Sequence, residues 1–356
     1  MKFSILSLIS VCFLATSCHN EKAITITSND YCAAVDTVTG IMVHDIFSPP
    51  VASRIYVYPN VAAYEIMVQN SKEYHSLQGQ LKGLDSIPVL DPKSGVNVPL
   101  AALIAQMEVS KKLVFSEEAI EKYRDSLYAK WSDENEKEFE VSKEYALKVV
   151  DRIAKWMGKD NYKETRTMPK YSVHADQPAR WQPTPPAYMD AVEPHWGKIR
   201  TLVMDSSAQF KAKAPFPFST NKNSDFYREA KETYDVGNKI SKDLLAMENT
   251  KSTTIPEESA IATFWDCNPY ATVTQGHMMF AKKKNTPDAH WINIAKIACK
   301  TAKTDFNKTV FVYTKTSIGV FESFISCWDQ KFKNNVVRPE TYINQYIDEN
   351  WKPQLQ

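Results

Sequence analysis

The chain has 356 residues, of which 43% are hydrophobic and 12% aromatic, and a formal net charge of +1. That apolar content supports a sizeable core, while the near-neutral balance gives no electrostatic reason to expect nucleic acid or an acidic surface as partner. Nine glycines against 19 prolines disfavour a sandwich or barrel made of many tight turns.

At the N-terminus, Lys2 forms a short positive region and residues 3–15 an apolar run interrupted by Ser4, Ser7 and Ser10. A bilayer span needs about 20 apolar residues, so this run fits the h-region of a secretory signal instead. It ends in Leu14-Ala15-Thr16-Ser17-Cys18, which resembles a bacterial lipobox, with Cys18 as the lipidated new N-terminus. The alternative is an ordinary cleaved signal. Either way the protein is predicted to be exported. With the lipobox it is anchored to a membrane, in the periplasm or at the cell surface, and residues 1–18 are removed from fold reasoning. About 340 residues remain, enough for one large domain or two smaller ones.

The remaining pattern predicts an all-α fold. The 23–46 stretch, with Ile24, Ile26, Val35 and Val38, reads as a short strand pair, the one exception. Residues 60–69 and 100–114 read as helices. Ser116 is placed to cap a helix with the stripe Ile120, Tyr123, Leu127 and Trp131. A further helix carries Phe139, Ala146, Val149, Ile153 and Trp156, with Gly158 just past its end. Together these make a helical region over 19–158. Residues 159–223 are rich in proline and hold Trp181, Tyr188 and Trp196; a connection this long is usually functional, and its aromatics argue for order. Helices resume over 224–356. Phe226, Ala230, Ile240 and Leu244 form one stripe, and Thr254-Ile255-Pro256-Glu257 resembles a capping box opening another helix. Residues 288–304 and 309–334 read as the last long helices, the latter with the stripe Phe311, Ile318, Phe321, Ile325, Trp328 and Phe332.

Chemical motifs are sparse. The chain lacks a dinucleotide fingerprint, a nucleophile elbow, a zincin helix and a P-loop. Its seven histidines are scattered, and none pairs with another at ligand spacing. Of the six cysteines, Cys12 and Cys18 belong to the leader and no pair has metal-ligand spacing. Cys267, Cys299 and Cys327 sit in apolar helical contexts and read as buried free thiols.

One constellation stands out. Lys331, in the last turn of the final long helix, and Arg338, beside Pro339, have six residues between them. Their side chains can converge, and a point charge beside a bidentate fork suits an oxyanion. Trp328 precedes Lys331 by three residues, on the same helical face, and is placed to wall such a pocket. Cations at a helix C-terminus are also favoured by the dipole alone and are commonly solvated, so spacing by itself leaves both readings open.

The run K-x6-R-P over residues 331–339 resembles the first of three motifs of the vanadium haloperoxidase and type 2 phosphatidic acid phosphatase superfamily. The surroundings are similar too: Phe47-Ser48-Pro49-Pro50, Trp181-Gln182-Pro183-Thr184-Pro185-Pro186, His195-Trp196-Gly197, Phe264-Trp265-Asp266 and Cys327-Trp328-Asp329. The likeness runs over about residues 45–356. It implies an all-α helical-bundle fold, an oxyanion (vanadate or phosphate) held by Lys331 and Arg338, a site lined by Trp328, and Asp266 as a buried acid orienting the arginines. Vanadate is the cofactor the resemblance implies, and a small anion and the membrane are the expected partners.

The departures are as informative. The chain has no P-S-G-H segment, and no S-R-x5-H follows Arg338. The residues that would supply the nucleophile or vanadium ligand and the proton-transferring histidine are therefore not among these 356. The resulting expectation is a haloperoxidase-like lipoprotein whose chain, as it stands, is inactive and carries only the first part of the bundle. Weak anion binding is expected in place of turnover. The alternatives are a phosphoester hydrolase of the same superfamily, a non-catalytic surface binding lipoprotein, and a site completed by another chain.

Overall fold

The computed structural model describes residues 22–185, 188–265 and 286–354, with the Trp265 side chain left out. Over these residues the protein is helical, and a lone antiparallel bridge between Arg180 and Val336 is the extended pairing among them. The all-α expectation holds.

The 23–46 stretch corrects the strand-pair expectation: it forms helix α1, Ser28–His44. Thr27 caps it by accepting the Asp30 N–H, while the Asp30 carboxylate takes the Thr27 N–H at 2.7 Å. Tyr31, Val35, Val38 and Met42 then fall on one buried face. Their spacing is helical, and it outweighs the β-branched side chains that suggested strands.

Helix α2, Pro49–Met67, begins with two prolines whose missing N–H groups lie where a helix has no acceptor anyway. Residues 50–67 are all buried. A helix without a polar face belongs at the centre of a bundle, and α2 packs there between α3, Val98–Lys111, and the later helix Phe306–Asn334. Its polar groups are individually satisfied. Tyr31 donates to the Asn60 side chain at 2.5 Å, and the buried Glu65 accepts from Ser76 at 2.6 Å and from the Leu77 N–H at 2.7 Å. Arg54 pairs with Asp160 at 2.7 Å, and Tyr58 donates to the same carboxylate at 2.9 Å.

The two helices expected over 116–158 are present in α4, Glu117–Met157, as two helical stretches that meet at a kink, where Asn135 leaves helical geometry (φ −163°, ψ 91°). The Asn135 side chain accepts the Glu138 N–H at 3.0 Å, so it re-caps the chain inside the helix. Ser116 does not cap α4; its N–H is held by Asp45 at 2.9 Å instead. Gly158 is the C-cap itself and has φ −65°, so its position does not exploit glycine's left-handed freedom. A one-turn helix, α5 (Tyr162–Thr165), follows, and the proline-rich segment then crosses the bundle with a single 3-10 turn at Trp196–Lys198.

Beyond it lie α6, Asp225–Thr250; α7, Glu257–Trp265; α8, Pro287–Ala302; α9, Phe306–Asn334; and α10, Pro339–Tyr346. One apolar cluster joins residues from Ile24 to Ile325. A smaller one, where α6 meets α10, gathers Ala230, Val337, Tyr342, Ile343 and Trp351. Cys32 and Cys299 are buried free thiols, but Cys327 is exposed, which corrects its expected burial. It sits on the face of α9 turned from the main core. Cys267 lies outside the described residues.

Candidate functional site: two converging cations at the end of α9

Helix α9 is stopped by Asn335, which adopts left-handed geometry (φ 45°, ψ 49°), and its N–H bonds the Lys331 carbonyl at 3.0 Å. Asparagine is one of the residues that tolerates this conformation. The chain then runs extended for three residues against the proline-rich segment. The Val337 N–H bonds Ala179 at 2.9 Å, and the Trp181 N–H bonds the Asn335 carbonyl at 3.3 Å. Arg338 is the N-cap residue of α10, with Pro339 next to it in the first turn. This short reversal returns Arg338 towards Lys331.

The two cations are accessible to solvent. Neither forms an ion pair among the described residues. The Lys331 ammonium lies 4.6 Å from the centre of the Trp328 ring and 6.0 Å from that of Phe332. Desolvation by these walls holds its pKa below the usual lysine range; Cys327 opposes that shift, and the Arg338 charge adds the smallest contribution, also downward. Arg338 therefore stands near enough for its charge to be felt at Lys331. Its guanidinium donates to the Thr184 hydroxyl at 3.3 Å. Glu340, the nearest acid on α10, has its carboxyl raised by burial, tempered by the Arg338 charge, and does not pair with it at ion-pair distance.

The aromatic wall is itself fixed. The Trp328 indole N–H donates to the Val192 carbonyl at 3.0 Å, and Phe324 packs on the ring at 5.4 Å between centres. Gly197 lies so close to the following residue that a Cβ there would sit 2.9 Å from the Asp329 Cα. On the adjoining face, α9 from Ile318 to Asn334 borders a groove of about 990 Å³, with Val203, Met204 and Phe210 on its other wall and Lys331 at one end. The groove's one acid, Glu322, is occupied, accepting the backbone N–H groups of Leu202 at 2.5 Å and Met204 at 2.8 Å.

Of the residues singled out from sequence, the structure sets Lys331 against Trp328 and leaves Arg338 within electrostatic reach of Lys331. Asp266 and Cys18 lie outside the described residues. Sequence reasoning missed Thr184 and the Val192 carbonyl. Thr184 sits inside the noted Trp181–Pro186 run, but no pattern marks which of its atoms faces Arg338, and a main-chain carbonyl carries no side-chain signal at all.

No family model and no curated protein matches the chain. Solved structures do. A bacterial vanadium-dependent chloroperoxidase in its apo form shares 14% identity over 84% of this chain and 65% of its own, with a TM-score of 0.51, a likeness of fold alone. A structure described as that of the first bacterial vanadium-dependent iodoperoxidase shares 54% identity, covers 94% of this chain and 76% of its own, and superposes with a TM-score of 0.86. At that identity and coverage, the chain belongs to the vanadium-dependent haloperoxidases of the haloperoxidase and type 2 phosphatidic acid phosphatase superfamily.

Proposed function

We propose that this chain carries the Lys331 and Arg338 part of a vanadate-binding site, in a protein of the halide-oxidising type that is exported and lipid-anchored at Cys18. The observation that carries the reading is the pair of neighbouring cations with no carboxylate at ion-pair distance among the described residues. Two such charges repel, a minor contribution beside the desolvation that mainly lowers the Lys331 pKa, and an anion between them relieves the repulsion. The donors fit a tetrahedral or trigonal oxyanion: Arg338 offers a planar fork and Lys331 a compact ammonium. Vanadate, when bound in such enzymes, supplies the activation of peroxide. What this chain contributes is charge and orientation, with Trp328 excluding water from one side of Lys331 and Thr184 steadying the Arg338 fork.

The polypeptide of residues 1–356, by itself, is proposed to bind an oxyanion weakly and to oxidise no halide, because it contains no P-S-G-H and no S-R-x5-H segment. Two cations stabilise charge but do not replace the histidines of those two segments, which would hold vanadium or take the phosphoryl group and transfer the proton. The test is orthovanadate binding, read as protection of Lys331 from an amine-acylating reagent by peptide mass spectrometry and, in parallel, by calorimetry. Arg338→Ala and Lys331→Ala are expected to weaken binding by roughly 10- to 100-fold, the worth of one charge-assisted hydrogen bond each. Unaltered affinity in both variants refutes the site. Vanadate-dependent iodide oxidation by the purified polypeptide, abolished in either variant, refutes its inactivity. The anchor has a separate test: Cys18→Ala is expected to move the protein from the membrane to the soluble fraction, since stable anchoring needs the acyl chains, and unchanged fractionation overturns the lipobox reading.

A further inference from the structure

Glu193 does not touch the cation pair, yet several contacts converge on it. Its carboxylate is paired with the two terminal guanidinium nitrogens of Arg166, Nη1 at 2.9 Å, and accepts the Ser48 hydroxyl at 3.3 Å. The Glu193 backbone is left-handed, with φ 52°, a conformation a non-glycine residue keeps only when its surroundings enforce it. The residue just before it supplies the Val192 carbonyl that receives the Trp328 indole N–H at 3.0 Å. Trp328 in turn carries the Lys331 ammonium on its ring. The support is rooted in the bundle. Arg166 stacks on Tyr162 at 4.4 Å, Arg54 of α2 lies over the same ring at 4.3 Å, and Arg54 is locked to the buried Asp160.

We propose that Glu193, held by Arg166, is a positioning residue for the anion-binding Lys331, acting through the Val192 carbonyl and the Trp328 indole. The inference rests on the Lys331 and Arg338 reading above. Its physical content is that the direction of one carbonyl decides where the indole lies, and the indole decides whether Lys331 points at the place Arg338 also reaches. Without the Glu193–Arg166 pair, the strained turn at residue 193 relaxes, the carbonyl swings, and the two cations lose their common target. A long cationic side chain left unguided samples many rotamers, and that freedom weakens anion binding without weakening the core.

The experiment uses the full chain and the same Lys331 protection assay with orthovanadate. In Glu193→Gln, and independently in Arg166→Gln, whose side chain is 41% exposed, the half-protecting concentration is expected to rise about tenfold, the worth of roughly one charge-assisted hydrogen bond. Glu193→Asp, which keeps the charge, restores most of the affinity. Thermal midpoints of all three stay close to the parent protein, which separates positioning from a general loss of fold. A wild-type chain whose Lys331 is not protected at all refutes the oxyanion reading itself. Protection in the wild type that is equal in Glu193→Gln and Arg166→Gln, or a Glu193→Asp variant as weak as Glu193→Gln, overturns the positioning role alone.

Discussion

Gly197→Ala measures how tightly the proline-rich segment is fitted to the site-bearing helix. A Cβ at Gly197 would lie 2.9 Å from both Cα and Cβ of Asp329 and 3.1 Å from its Oδ1. Carbon atoms pack at about 3.5–4.0 Å, so the 3-10 turn or the end of α9 has to retreat by about 0.5–1 Å. The obstructing atom is main chain and cannot rotate away. Overpacking of this kind costs about 1–3 kcal/mol. Opposing it, alanine lowers the entropy of the unfolded chain, worth about 0.4–1 kcal/mol. The clash wins, and a net destabilisation of about 0.5–2 kcal/mol is expected in urea unfolding. Gly40→Ala is the matched control. Gly40 lies inside α1 with no atom within 4 Å of its would-be Cβ, so only helix propensity acts and stability should rise by about 0.5–1 kcal/mol. Because Asp329 stands between Trp328 and Lys331, the Gly197 variant should also need more orthovanadate to protect Lys331. A Gly197→Ala protein as stable as the parent, or stabilised like Gly40→Ala, refutes the tight-fit argument.

Two further substitutions probe buried charge. Asp160→Asn leaves Arg54, itself buried, without its counter-charge while Tyr58 keeps a neutral acceptor; a loss of about 3–5 kcal/mol is expected, and a loss below about 1 kcal/mol in urea unfolding contradicts it. Asp288, at the start of α8, is fully buried, and neither of its oxygens makes a well-formed hydrogen bond among the described residues, though the Thr286 hydroxyl and first-turn N–H groups lie near. Burial raises its pKa from 3.8 to about 7, so the folded state holds the proton more tightly than the unfolded chain. The stability from this group is complete at acid pH and is lost as pH rises through the window from about 4 to 7. Asp288→Asn should therefore be the more stable protein at about pH 8, by up to roughly 4 kcal/mol, with the two curves meeting near pH 4. Parallel curves across that range refute the assignment.

Much of the fold was legible because helix burial is periodic. The stripe through Ile318, Phe321 and Ile325 is the buried face of α9, and the helix expected to resume at residue 224 does so as α6, where the Ser224 side chain accepts the Tyr227 N–H. The reading failed where local composition and periodicity disagreed. Ile24, Ile26, Val35 and Val38 in the 23–46 stretch suggested strands, but Tyr31, Val35, Val38 and Met42 repeat with helical spacing. It also failed at Cys327, whose apolar neighbours belong to the buried face while the thiol itself points the other way. Lys331, Arg338 and Trp328 were found through their spacing and their resemblance to a family motif. Nothing local could reveal that Trp328 is anchored 136 residues away at Val192, or Arg338 154 residues away at Thr184.

That distance along the chain explains why the proline-rich segment exists in the form it does. A helix end alone gives Lys331 a favourable dipole and a solvated, unfocused charge. Focusing requires walls, and α9 cannot build them from its own residues beyond Trp328, Phe332 and Phe324. A periodic helix laid alongside would bring a regular row of side chains but few free carbonyls, because its own are already bonded along the ladder. An extended, proline-bearing strap offers unpaired carbonyls and hydroxyls at irregular intervals: Val192 to the indole, Thr184 to the guanidinium, Ala179 to the chain between the two cations. The strap also brings no carboxylate into ion-pair contact with Lys331 or Arg338; Glu193, next to the Val192 carbonyl, is neutralised by Arg166. With its carboxylate held by Arg166, Glu193 fixes the strap beside the Val192 carbonyl that anchors Trp328, which is why the Glu193–Arg166 pair is the place where loosening the strap is expected to reach the anion.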